Sequence, residues 1–320
     1  MELLRAGTEA ARGRPSAVIL IPLQRLGQGG RLTQSVMTSH AAHSLPGHSL
    51  SELVRRQLAA ENSSLPLFPE TAARILAAVE DPDQDIRGLA RMIELDPSLA
   101  ANLMRVSNSV AYAPVEPIVT LEQAVSRLGM QTISGIATAL ALRSEVFSVP
   151  GYEPLLRKLW VHSAQAGAWA KEVARTRRKS VERAFLCGLL HDIGKPVVLQ
   201  AAIALVAELK LEVHEKDLIN VMDELHTEIA GRLLKEWSMP KWVQDSALYH
   251  HETSNSGEYR EEVLTTSLAN ALAHSTEMGR LEEDEILQHP ALLELGLYSD
   301  ELDPLFSKFR IVQKLTEAIS

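Results

Sequence analysis

Residues 189–195 read Leu-Leu-His-Asp-Ile-Gly-Lys and set His191 and Asp192 side by side at the end of an apolar run that begins at Ala184. A neutral imidazole and a carboxylate are both ligands that divalent transition metals accept, so this pair can present two ligands to one ion. A single pair is weak evidence, but further histidines lie before and after it. They are His162, His226, His250 and His251. The sequence therefore predicts a pocket formed by these six side chains.

The chain after its first 48 residues carries apolar residues at intervals of three and four, the pattern of amphipathic helices. The predicted helices cover 69–79, 86–95, 97–108, 121–128, 155–174, 223–237, 241–251, 261–273 and parts of 282–319. Boundary signals agree with them: Asp96 before Pro97 is an N-cap followed by proline in the first turn, Thr120 and Gln123 form a capping box, and Gly129 ends that helix. Period-two runs are nearly absent and aromatic residues make up 4% of the chain. These features predict an all-α fold.

The composition limits the classes of partner. The chain has 32 basic and 41 acidic residues, a net charge of -9, which argues against nucleic acid as a direct partner. No uninterrupted apolar run approaches the ~20 residues of a membrane-spanning helix, so we expect no membrane partner. The lone Cys187 excludes an internal disulfide and lies in an apolar run, which predicts a packed core thiol in a reducing compartment. We expect a cytoplasmic protein.

Residues 1–48 are rich in Gly, Ser, Arg and Gln and have no sustained period, which predicts a mobile, disordered leader. Met37 is a candidate for the true start of the chain. His40, His43 and His48 fall in this polar segment, and we expect them to be solvated. Asn108, at a predicted helix end, is expected to cap or bridge backbone groups.

Two groups of motifs resemble the HDOD domain, a signalling relative of the HD metal-dependent phosphohydrolases. In the first group the matching segments are 65–66, 68–69, 95–99, 107–112, 119–125 and 128–129; in the second they are 159–163, 188–195, 224–228 and 237–240. The resemblance covers about 62–258 and implies a bundle in which an N-terminal helical part, 62–150, packs on an HD-like part, 151–258. Residues 259–320 are expected to form a C-terminal helical extension.

The resemblance also implies a metal site. The positions that match HD ligands are His162, His191, Asp192, His226, His250 and His251. The final aspartate of the HD pattern falls at Asn270, and an acidic residue that some relatives carry one turn before the first histidine falls at Lys158. A neutral amide is a poorer cation ligand than a carboxylate, and a lysine adds positive charge. The Gly-Tyr-Pro signature of the cyclic-dinucleotide phosphodiesterases is also missing, since 256–259 read Ser-Gly-Glu-Tyr.

Three functions remain open at this point. The first is an intracellular signalling module of bacterial type that binds a protein partner in trans, or a small ligand, without catalysis. The second is a phosphohydrolase for a nucleotide or cyclic dinucleotide: an iron, manganese or zinc ion supplies the hydroxide, Asp192 ligates it, and Lys195 offsets phosphate charge. The third is a nucleotide sensor that binds without cleaving. Asn270 favours the first, because loss of one carboxylate ligand often costs orders of magnitude in affinity or activity.

The tryptophans lie in the HD-like part, 151–258, near the predicted ligands. They are Trp160, Trp169, Trp237 and Trp242. We expect them to serve core packing, with base stacking as the weaker alternative. Trp237 and Trp242 flank Pro240, which predicts a turn between two helices.

Overall fold

The computed structural model describes residues 49–60, 65–276, 279 and 281–320, and this part of the chain consists of helices and turns without a strand. The all-α prediction is confirmed. The predicted leader, with Met37 and its three histidines, lies outside the described residues.

The helices fall into three groups along the chain. The first is α1 (Leu50–Ala59), α2 (Glu70–Glu80), α3 (Ile86–Glu94), α4 (Pro97–Ser107), α5 (Leu121–Leu128) and α6 (Met130–Glu145). The second is α7 (Glu153–Thr176), α8 (Val181–Leu190), α9 (Gly194–Leu209), α10 (Glu215–Glu236), α11 (Lys241–Tyr249) and α12 (Arg260–Thr276), with a 3-10 turn at Thr253–Asn255. The third is α13 (Glu283–Ile286), α14 (Ala291–Leu295), α15 (Ser299–Phe306) and α16 (Phe309–Ile319).

The predicted boundary signals act as expected. The Asp96 carboxylate accepts the backbone N–H groups of the first turn of α4, and Thr120 and Gln123 form a capping box at α5. Gly129 has φ +86°, a conformation that most residues avoid, so α5 ends there and α6 starts at the next residue. Polar side chains therefore set the lengths of these helices.

Asn108 bridges backbone groups, as predicted. Its Nδ2 donates to the carbonyl of Met104 at 3.0 Å and to that of Ile118 at 2.8 Å. The Ile118 N–H donates in return to Asn108 Oδ1 at 2.8 Å. One amide side chain thus ends α4 and holds the loop that leads to α5.

Two glycines let the helices around the His-Asp turn approach closely. A Cβ on Gly188 would lie 2.5 Å from the carbonyl oxygen of Ala166 on α7, and one on Gly194 would overlap the carbonyl oxygen of His226 on α10. Helix backbones meet this closely only where the side chain is a hydrogen atom. The glycines bring α7 against α8 and α10 against α9, and the His-Asp turn lies between these pairs.

Within the stretch Val181–Leu209, which includes this turn, the most apolar 18-residue window has a mean hydropathy of 1.5, so the stretch is long and apolar enough to cross a membrane by composition alone. In its most apolar window, 67% of the residues are buried inside the protein. That is the pattern of a core helix pair, so the stretch is weak evidence for a membrane span.

The tryptophans divide into two pairs. Trp160 and Trp169 are buried, as the core-packing prediction requires, and Trp160 Nε1 donates to the carbonyl of Ile319 at 3.3 Å, which ties α16 to α7. Trp237 and Trp242 are only half-buried. Cys187 is buried, as predicted, and burial raises the pKa of its thiol to about 12. The C-terminal helices pack on α7 and α12, and the boundary predicted at residue 258 stays a prediction.

Candidate metal centre

The predicted ligands converge on one pocket from five helical segments. His162 comes from α7, His191 and Asp192 from the turn between α8 and α9, and His226 from α10. His250 and His251 follow α11, and Asn270 comes from α12. Every one of these side chains is buried except that of His251, which is exposed. The structure therefore brings together all the positions that the sequence singled out, and metal binding itself stays a prediction.

The Asp192 carboxylate lies at the centre of the pocket. Its Oδ1 is 3.3 Å from His226 Nε2 and 3.7 Å from His250 Nε2. Its Oδ2 is 3.5 Å from His191 Nε2 and 3.8 Å from His162 Nε2. The two carboxylate oxygens therefore face two groups of histidines.

Lys195, one turn after Asp192, places its Nζ 2.6 Å from Asp192 Oδ2 and 3.7 Å from an oxygen of Asp223. Its side chain is 12% exposed. The ammonium group thus neutralises part of the buried negative charge on the Oδ2 side. Lys158 is exposed on α7, and the ammonium group in contact with Asp192 is that of Lys195.

Three of the histidine rings are oriented by their own helices. The Nδ1 atom lies 2.7 Å from the Gly188 carbonyl in His191, 2.9 Å from the Asp223 carbonyl in His226, and 3.0 Å from that of residue 247 in His250. A carbonyl only accepts, so each Nδ1 carries the proton and donates. Each Nε2 then presents its lone pair to the pocket, the tautomer that a metal ligand requires.

The separations between ligand atoms suit a shared ion. His226 Nε2 lies 3.2 Å from His251 Nε2 and 3.3 Å from Asp192 Oδ1. Two ligands ~2.1 Å from one ion, at bond angles of 90–110°, are about 3.0–3.4 Å apart. Two triads have ligand atoms within 4.8 Å of one another: His226, His250 and His251, and His162, His191 and Asp192. Imidazole with carboxylate suits zinc, iron or manganese.

The pocket holds these groups in their ligating protonation states. Burial lowers the pKa of His191 to about 3 and the pKa of His250 well below its usual value. Burial also lowers the pKa of His226 and of His251. Burial opposes ionisation of Asp192, but the Lys195 ammonium 2.6 Å from Oδ2 favours it, and the pKa of that carboxyl lies well below its usual range. Neutral imidazoles around an ionised carboxylate are the forms that bind a cation.

Three of the buried ligand atoms lack a hydrogen-bond partner. They are His191 Nε2, His250 Nε2 and Asp192 Oδ1. Buried polar atoms are paired in the great majority of cases. Buried ligand atoms that converge on one pocket without hydrogen-bond partners are typical of a cation site.

Asn270 determines which ring nitrogen of His162 carries a proton. Its Oδ1 lies 2.9 Å from His162 Nε2, and with the amide oxygen facing the ring, His162 donates its Nε2 proton. That nitrogen then has no lone pair for a cation. His162 therefore differs from the three histidines whose Nδ1 carries the proton.

Two residues of the site, His274 and His289, were not predicted from the sequence. The ring of His274 on α12 lies 4.3 Å from that of His162, and a pocket of about 390 Å³ extends from Asn270 past His274 to His289, before α14. His274 follows Asn270 by four residues and so shares its helix face, which is a signal that the sequence offered. His289 lies in a turn without a periodic pattern, and nothing in the sequence marked it.

Comparisons with known proteins agree with this architecture. The family model of the HDOD domain matches residues 65–253. An uncharacterized protein of Treponema pallidum (strain Nichols) is 24% identical over 216 residues, which are 64% of this chain but only 41% of that relative, so the match spans about two fifths of the relative's length.

Two solved structures share the fold. One, from Shewanella amazonensis SB2B and named "Putative metal-dependent phosphohydrolase", has a TM-score of 0.67 at 20% identity and covers 85% of this chain and 98% of its own. The other, an HDOD domain protein with unknown function from Geobacter sulfurreducens, has a TM-score of 0.64 at 22% identity and covers 84% and 97%. At these identities the likeness establishes the fold alone.

Proposed function

The chain belongs to the HDOD domain family, and we propose that it is an intracellular signalling module whose histidine pocket binds a divalent metal ion without turning over a substrate. The observation that carries the metal is the set of three buried, unpartnered ligand atoms on His191, His250 and Asp192. Leaving a buried polar atom without a partner costs about 1–3 kcal/mol, and ligation of a cation would offset that cost for each atom that it engages.

The absence of turnover is inferred from Asn270. A bound ion of this class supplies a Lewis acid for a phosphoryl oxygen and a hydroxide near neutral pH. Asn270 stands where the HD pattern has a carboxylate, and its amide engages His162 Nε2. The His162 side of the pocket therefore offers weaker ligands than the His226 side, and this loss of a carboxylate ligand is the argument against hydrolysis.

A protein partner is supported by one surface loop. Val110, Val115 and Val119, between α4 and α5, leave 65%, 93% and 71% of their area exposed. Several large apolar side chains left exposed on one loop are a candidate interface for a protein partner. The single buried Cys187 supports a reducing, cytoplasmic location.

Metal content tests the proposal directly. Untagged full chain, loaded anaerobically with Fe²⁺, Mn²⁺ or Zn²⁺ and desalted, should retain about one ion per chain of at least one of these metals by elemental analysis. His250→Ala and His191→Ala should each retain less than a tenth of that amount. His214→Ala, an exposed histidine before α10, is the matched control and should keep the wild-type content. No retained metal after loading would contradict the proposal.

A metal-dependent phosphohydrolase is the second candidate, favoured by the retained histidines and by the pocket of about 390 Å³ beside Asn270. In that case Asp192 and the histidines hold the ion, and the Lys195 ammonium binds a phosphoryl oxygen. The metal-loaded protein should not hydrolyse bis(p-nitrophenyl) phosphate faster than His191→Ala does. Hydrolysis that is lost in His191→Ala would establish the enzyme and overturn the signalling proposal. A nucleotide sensor remains the third alternative.

A further inference from the structure

A second cavity, of about 770 Å³, lies between the first two groups of helices and shares no lining residue with the histidine pocket. We call it the interhelical cleft. Its walls are α2 and α6 on one side, and α8 with the turn between α10 and α11 on the other. The segments Phe68-Pro69 and 237–240, which stood out in the sequence and which the metal centre does not use, meet in this cleft. The ring centroids of Phe68 and Trp237 are 4.9 Å apart.

The cleft has an aromatic lining that the fold does not cover. Phe68, Leu76, Trp237 and Trp242 line it and are only half-buried. Clefts of about 300–1,000 Å³ with apolar and aromatic walls are the usual form of a small-molecule site. Large apolar side chains held half-buried around a concave space provide flat surfaces on which a ring can stack.

One buried hydroxyl lines the cleft without a partner. Ser134 on α6 is 2% exposed, and its Oγ makes no hydrogen bond, although a helical serine can bond the carbonyl four residues before it. An unpaired buried hydroxyl on the wall of a cavity indicates a group that is available to a ligand.

The charges in the cleft determine which ligand fits. Its ionisable lining residues are Glu80, Glu182 and Arg183. The Arg183 guanidinium lies over the Trp242 ring, 4.7 Å from its centroid, and 3.7 Å from Glu262, so its charge is already engaged. Two carboxylates then leave the cleft negative. It repels an anion and favours a ligand with N–H donors.

We propose that the interhelical cleft binds a small molecule with an uncharged, planar heteroaromatic ring that carries N–H donors, the chemical class of a nucleobase. The ring packs against Trp242 and Trp237, which already contact Arg183 and Phe68 respectively, and its edge bonds Ser134 Oγ and the Glu182 carboxylate. Because α6 and α8 stand on opposite walls, one ligand contacts both groups of helices. Such a site provides a signal input that is separate from the metal.

Binding of nucleosides tests this proposal. Adenosine, guanosine, cytidine and uridine are titrated into the full chain by calorimetry and by tryptophan fluorescence, each beside its 5′-monophosphate. We expect at least one nucleoside to bind with a Kd below 1 mM and at least tenfold more tightly than its monophosphate, because the cleft is negative. No binding of any nucleoside, or preferential binding of monophosphates, overturns the proposal.

Variants of the lining residues distinguish a ligand site from lining residues that serve only the packing of the helices. Ser134→Ala should weaken nucleoside binding at least tenfold while the Tm stays the same or rises, because an unpaired hydroxyl is removed. Ser126→Ala, an exposed serine on α5, is the matched control and should bind as wild type does. Trp242→Leu should weaken binding at least tenfold, and Trp242→Phe should restore most of it by keeping a ring. Unchanged binding in Ser134→Ala overturns the proposal.

The metal proposal and this one can fail separately. His250→Ala removes a predicted metal ligand but no residue of the cleft, so nucleoside binding should stay at the wild-type value. Loss of nucleoside binding in His250→Ala would place the ligand in the histidine pocket and would overturn the assignment to the cleft.

Discussion

The first and second groups of helices use their polar side chains differently. In the first group, Asp96 and Asn108 bond backbone groups and thereby define where helices begin and end. In the second, His191, His250 and Asp192 are buried with ligand atoms that bond nothing. Buried side-chain atoms without a partner also occur in the first group, on Gln57, Ser107, Ser109, Ser134 and Thr138, and of these Ser134 lines the interhelical cleft. The difference teaches that a polar side chain bonded to the backbone defines a helix end, whereas several unpartnered ligand atoms that converge on one pocket point to an ion.

The largest expected effect concerns the backbone contact behind the pocket. Gly194→Ala places a methyl group against the His226 carbonyl and should lower the free energy of unfolding by about 3 kcal/mol, since neither helix can move away cheaply. Urea denaturation measures it. Gly257→Ala, where a Cβ has nothing within 4 Å, is the control and should change stability by less than about 0.5 kcal/mol. Equal urea midpoints for Gly194→Ala and Gly257→Ala would mean that the close approach of α9 to α10 does not require glycine at position 194.

Metal addition should come next in size. A cation that binds only the folded chain at a hundredfold excess over its Kd raises the free energy of unfolding by about 2.7 kcal/mol. Thermal melts with and without the best-retained metal should show this increase, with reversal by EDTA. His250→Ala should show no such shift; an equal shift in that variant would place the ion elsewhere.

Asn108→Ala should affect the fold and leave the second group of helices intact. It removes three hydrogen bonds, each worth about 1 kcal/mol net, so the unfolding free energy should fall by about 2 kcal/mol or slightly more. Metal content should stay at the wild-type level. Asn102→Ala, which removes one exposed bond to the Ser98 carbonyl, is the matched control and should cost less than about 1 kcal/mol. A lowered metal content in Asn108→Ala would mean that the first group of helices also determines metal binding, contrary to this prediction.

The smallest expected effect tests the two sides of the pocket. Asn270→Asp restores a carboxylate beside His162 and should tighten metal binding about tenfold, measured by competition with a chelator of known affinity. Asn270→Ala, which supplies neither carboxylate nor amide, should show no tightening. If Asn270→Asp binds as wild type does, the arrangement around His162 differs from that of a metal site in more than this one ligand.

Local signals in the sequence predicted most of the fold. Apolar residues at helical spacing located α2 to α5, and the caps at Asp96 and Thr120 placed helix starts to the residue, because a cap acts within one turn of chain. The spacing did not single out α6, which buries almost every residue from 133 to 142. A helix that is apolar on all sides has no amphipathic period to detect.

The sequence by itself determined the all-α class, the helix caps, and the set of histidines and acid that could form one site, since these depend on residue type and local spacing. Tertiary structure alone decided which ring nitrogen each histidine presents, that Asn270 engages His162, and that His289 lines the pocket. It also created the interhelical cleft, whose walls are up to about a hundred and seventy residues apart in sequence (Phe68 and Trp237). The physical reason is that hydrogen-bond direction and burial depend on neighbours brought together by packing, which spacing along one helix does not encode.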